Sequence, residues 1–167
     1  MRDAYLQPGL EREPQFAARL SRTRQASRLA RSNLEASVAR LTVEPGVEPA
    51  RLTAAQIILA NSRRFLHAVM ALEGGIFRSH AVPARHAFAD LANAVDTTLY
   101  LLSAYLRGKS TPHPNDLPDL REAHHALVTS GDSNVERYAL VNVESDRVTN
   151  SVNSLVVDVF NWLDSTM

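Results

Sequence analysis

The sequence predicts an all-α protein, an antiparallel helical bundle of four long helices plus one short helix. Three observations lead there. Apolar residues recur three, four or seven positions apart through most of the 167 residues, the spacing that gathers them on one helical face at about 100° per residue. Proline and glycine cluster between those runs, where helices must break. The joining loops span about 5–10 residues, which makes sequential helices antiparallel neighbours.

Residues 1–13 read as a flexible tail, with Pro8-Gly9 as a breaker, and residues 14–167 as a single helical-bundle domain. Pro14 stands near the first helix start. That helix carries the stripe Phe16, Leu20, Ser27, Ala30, Leu34, Val38 and Leu41. Residues 42–51 form a linker containing Pro45-Gly46 and Pro49. Thr53-Ala54-Ala55-Gln56 then reads as a capping box, with Leu52 stapled onto Ile57. The helix it opens should run to about Glu73 and stop at Gly74-Gly75, where glycine accepts a left-handed cap. Its apolar arc is wide, so it should be central. Asn61, Ser62 and Glu73 fall inside the arc and need partners if buried.

Residues 76–82 read as a loop, and Pro83 suits the first turn of a third helix. Phe88, Leu91, Val95, Leu99, Leu102 and Leu106 make its stripe, with Asp90, Asn93 and Asp96 facing out and Gly108 ending it. Asp116 can cap a short helix over residues 117–128, followed by a turn at residues 130–133. Residues 134–163 are rich in valine, which is slightly unfavourable in helices. Yet Tyr138, Val141, Ser145, Val148, Val152, Leu155, Val156, Val159, Phe160 and Leu163 hold one helical face. The opposite face takes Glu144, Asp146, Arg147, Asn150, Ser154 and Asp158, so a long final helix is expected.

Composition narrows the function classes. An apolar fraction of 45% and a charged fraction of 22% are ordinary for a globular chain. No run approaches the roughly 18 apolar residues of a membrane span. The absence of cysteine excludes disulfides, thiolate metal sites and cysteine nucleophiles. Net charge is zero but unevenly spread: residues 1–45 carry +3, residues 46–110 carry +3, and residues 111–167 carry −6. Basic and acidic ends can pair within the domain, or head to tail between copies. Of 18 cationic residues only Lys109 is a lysine; the rest are arginines, suited to planar contacts.

Residues 24–72 carry a family resemblance. The run Arg28-Leu29-Ala30-Arg31-Ser32-Asn33-Leu34-Glu35-Ala36-Ser37 continues through Arg40-Leu41 to Glu44-Pro45. It resembles a pattern in the C-terminal cytoplasmic region of FUSC-type (fusaric acid resistance-like) bacterial inner-membrane proteins. Leu59-Ala60-Asn61-Ser62-Arg63-Arg64-Phe65 and Ala68-Val69-Met70-Ala71-Leu72-Glu73 are similar to the helix that follows there. The resemblance implies a cytoplasmic, non-catalytic domain of an efflux transporter. Its role would be self-association or regulation of the membrane part. This chain has no membrane span of its own, and the resemblance brings no catalytic motif and no cofactor.

The candidate contact residues are Arg24, Arg28, Arg31, Glu35, Arg63, Arg64 and Glu73. Arg24, Arg28 and Arg31 form a ridge beside the first helix's stripe. It suits an acidic partner: another subunit, the membrane part of the same protein, or a small anion. Arg31 and Glu35 can pair at i, i+4. Glu73 should be clamped by an arginine of the first helix. The rival is an aromatic or apolar carboxylate bound between helices, anchored by Arg31 or Arg64. A pocket lined by Phe65, Met70 or Phe88 with an arginine at its mouth would favour that rival. Metal is not expected, since no two of the six histidines are spaced i, i+4. No phosphate loop, Gly-x-Ser-x-Gly or HExxH motif supports an enzyme. Overall neutrality, and a Pro-containing linker in place of a tight turn, argue against nucleic acid.

Overall fold

The computed structural model describes residues 5–7, 9–78, 86–109, 113–130 and 135–164. Among them are five α-helices and no strand: α1 (Pro14–Leu41), α2 (Pro49–Arg78), α3 (His86–Leu106), α4 (Leu120–Thr129) and α5 (Val135–Asp164). Short 3-10 turns at Leu10–Arg12 and Pro114–Asp116 precede α1 and α4. The expected helix start at Pro83, most of the turn at residues 130–133 and the Tyr138 side chain lie outside the described residues. No helix of the described residues is long and apolar enough to cross a membrane.

Helix boundaries show where local signals lose. α2 begins at Pro49, before the expected capping box, because proline needs no amide partner in a first turn. The Leu52 amide donates back to the Glu48 carbonyl at 3.1 Å. Thr53 is therefore already inside the helix, and its hydroxyl donates to the Pro49 carbonyl at 2.9 Å. The far end also runs longer, passing through Gly74-Gly75 to Arg78. Gly75 is a place of close approach: a Cβ there would sit 2.5 Å from Leu140 Cδ2 and 2.8 Å from the Tyr5 hydroxyl. α4 is capped by Asp119, not Asp116; its carboxylate accepts from the Arg121 and Glu122 amides at 2.9 and 3.0 Å. α3 ends just before Gly108, as expected, and Gly108 takes a left-handed turn, with φ +63°.

α2 is central, as its wide arc predicts, and its most extensive pairing is with α5. Ala54, Asn61, Ala68 and Gly75 recur every seven residues and turn inward, the last three buried. Opposite them α5 presents Glu144, Ser151 and Asp158, also seven apart. Small side chains let the two backbones approach and leave polar groups within the seam. Asn61 Nδ2 donates to Asp158 Oδ2 at 2.6 Å there. Glu144 is 5% exposed and paired with Arg147 at 2.7 Å. The expected outward face of α5 thus splits, with Glu144 turned into the seam.

The main core joins Ala68 and Leu72 of α2, Phe88, Leu91 and Val95 of α3, Leu120 and Leu127 of α4, and Val148 and Val152 of α5. Leu102, Tyr105, Leu155 and Val159 close one end. Sequential helices run antiparallel. α3 and α5 consequently run parallel: Val148 lies beside the Phe88–Val95 half of α3, and the Phe160 and Tyr105 rings meet edge to face with centroids 5.9 Å apart. The described part of the expected tail is docked. The Tyr5 hydroxyl donates to the Leu72 carbonyl at 2.6 Å, and its ring lies 4.9 Å from that of Phe88.

α1 differs from the rest. It packs chiefly on α2, and its buried side chains are Phe16, Leu20 and Val38. Nothing between Leu20 and Val38 is buried: of the expected stripe, Ser27 and Leu34 are half covered and Ala30 is exposed.

Candidate functional site

Two concavities flank α2. The first is a groove between α1 and α2 of about 600 Å³. Leu20, Leu66, Val69 and Met70 give it an apolar floor, and Arg19, Arg24, Arg28 and Arg31 stand along its α1 wall. This is the arginine ridge that the sequence predicts, facing α2 across a gap.

Ion pairs tie the two walls together. Arg24 Nε donates to Glu73 Oε1, and the Glu73 residue is 8% exposed. The expected clamp between Glu73 and an arginine of the first helix is therefore present. Its value lies in holding a buried carboxylate that would be costly alone. Further along, Glu35 Oε1 accepts from Arg63 Nη2 at 2.9 Å and Nε at 3.2 Å. Arg31 approaches the same oxygen at 3.8 Å. These side chains are half exposed, so each pair contributes only about 0.2–1 kcal/mol. Arg28 has no carboxylate partner among the described residues. Arg64 belongs elsewhere: its Nη1 donates to Asn61 Oδ1 at 3.3 Å, extending the Asn61–Asp158 contact of the seam.

The second concavity is a cleft of about 340 Å³ between α2, α3 and α5. Phe65, Val69, Phe88, Leu91, Val95 and Val148 line it, with Asp96 and Ser145 as its polar groups. The aromatic pair expected of a ligand pocket is thus here, while Met70 and the arginines line the groove instead. No cation lines this cleft among the described residues. Asp96, expected on a solvated face, is indeed exposed. The apolar stripe of α3 gave no signal that a neighbouring carboxylate would border a cavity. Ser145 was legible only as a gap in an apolar stripe. It is 1% exposed, and its Oγ has no hydrogen-bond partner among the described residues.

Burial pushes the Tyr5 phenol up to about 12. Glu122 and His125 do form a Glu-x-x-His spacing on α4, as di-metal bundles use, but both are exposed. Among the described residues no group of three or more metal-capable side chains gathers. Compared with models of known families, with curated proteins and with solved structures, the chain gives no match.

Proposed function

We propose that this chain is a non-catalytic helical interaction module that self-associates through the arginine face of α1. The observation carrying the proposal is charge left unspent in the fold. Among the described residues α1 makes its inter-helix ion pairs with α2 alone, through Glu73 and Arg63. Arg19, Arg22, Arg28 and Arg40 of α1 have no carboxylate partner among the described residues. Acidic residues of the second half pair locally, Asp146 with Arg121 at 3.5 Å and Glu144 with Arg147. Asp116, Glu122 and Asp164 stay exposed. Among the described residues no ion pair joins the basic and acidic ends within one copy, which favours the head-to-tail arrangement between copies. Such an interface gains orientation and encounter rate from complementary potentials, and weakens with salt.

The likeness of residues 24–72 to FUSC-type cytoplasmic regions supports a setting for the module, on the cytoplasmic side of an inner-membrane exporter. Recovery of the chain in washed inner membranes supports that setting; recovery wholly in the soluble fraction removes it. Sedimentation velocity tests the association itself. At low salt the expected result is a larger species that grows with concentration and is lost in the Arg22→Glu/Arg28→Glu double variant. A wild-type monomer at every concentration would contradict the proposal.

A second reading rests on the groove. Its apolar floor and the free Arg28 beside Arg31 suit an aromatic carboxylate. Benzoate titration followed by NMR, with Arg28→Gln and Arg31→Gln variants, separates this from association. Saturable shifts along α1 and α2 that both variants weaken would support it; no shift would dismiss it.

A further inference from the structure

We infer that the cleft between α2, α3 and α5 is a binding site for a small organic cation, an aromatic or branched amine, and not for a carboxylate. This inference is independent of the proposed association through α1. About 340 Å³ is within the range of small-molecule sites, which are mostly apolar with a few placed polar groups. The walls are built that way. Phe65 and Phe88 bring aromatic rings to the lining, a residue type that attracts cations, and Val69, Leu91, Val95 and Val148 supply the apolar body.

The charge at the site has one sign. Asp96 brings a carboxylate that is exposed and without a cationic partner among the described residues. Arginines, lysines and histidines are absent from the described lining. A carboxylate ligand would meet repulsion there and find no counterion, while an ammonium would find one.

Ser145 gives the second, separate indication. Of the buried serines and threonines described, Thr98 donates back to the Ala94 carbonyl at 2.9 Å and Ser151 to the Arg147 carbonyl at 2.7 Å, while Ser145 and Thr149 have no hydrogen-bond partner among the described residues. Of those two, Ser145 is the one that lines the cleft. A buried hydroxyl without a partner is unfavourable. A ligand hydroxyl, or a water carried in with the amine, would satisfy it.

The test uses 2-phenylethylamine and its charge-reversed counterpart phenylacetate, each titrated into the full chain under amide NMR. The amine is expected to give saturable shifts at Val69, Leu91, Val95 and Val148, with phenylacetate giving none there. Asp96→Asn, at an exposed position, should fold normally. It should weaken the amine about three- to fivefold, the upper end for an exposed ion pair. Ala92 also lines the cleft, and Ala92→Leu, which narrows it, should remove binding while leaving the spectrum dispersed. Equal binding of the two probes, or Asp96→Asn without effect, would overturn the inference. So would no saturation by about 10 mM amine, tenfold above a millimolar Kd.

Discussion

Gly74 and Gly75 are neighbours inside α2 with opposite surroundings. A Cβ at Gly74 meets nothing within 4 Å, while one at Gly75 meets Leu140 and the Tyr5 hydroxyl. Glycine in a helix interior costs about 0.5–1 kcal/mol relative to alanine. Gly74→Ala is therefore expected to stabilise the fold by about that amount in urea unfolding. Gly75→Ala should lose the gain, because the Tyr5 hydroxyl is tied to the Leu72 carbonyl and cannot step aside without breaking that bond. Tyr5 also predicts an alkaline limit. Its folded value, about 12, lies above the ordinary 10.0, so its stabilising contribution is complete below pH 10. Above that the unfolded chain loses the proton first, and stability falls as pH rises toward and through 12. Tyr5→Phe should flatten that alkaline decline in a thermal-unfolding series; an unchanged slope would show that Tyr5 does not cause it.

Elements were legible where burial dictated them. The stripes of α3 and α5 follow from apolar side chains needing one dry face, and that requirement overrode the weak helix preference of valine. Helix ends were less legible, because several local signals compete for each one. Pro49 displaced Thr53 as the start of α2, and Asp119 displaced Asp116 at α4. A capping carboxylate is worth about 1 kcal/mol. Asp119→Ala should cost about that much, and Asp116→Ala much less, when the two are compared by denaturant midpoint. The seam between α2 and α5 was hidden for a different reason. Its small residues seat polar partners, so Glu144 and Asp158 broke the rule that charges mark an outer face. The arginine ridge and the Glu73 clamp could be read, since a charge on an apolar arc must find a counterion. The cleft at Ser145 and Asp96 could not, since a cavity depends on three helices at once.

The whole molecule divides into a packed core of α2 to α5 and an arm, α1, laid along one side. Helix propensity and the Arg31–Glu35 contact favour the arm as a helix, but few buried contacts hold its middle. Segments of that kind open at low free energy, and a partner would close them. In the proposed association this arm acquires its missing contacts from another copy. Amide hydrogen exchange across a dilution series at low salt tests it directly. Protection of residues 21–37 should rise with protein concentration and vanish in high salt, while the core amides of α2 and α5 stay constant. Protection of the arm that is the same at every concentration would contradict the account.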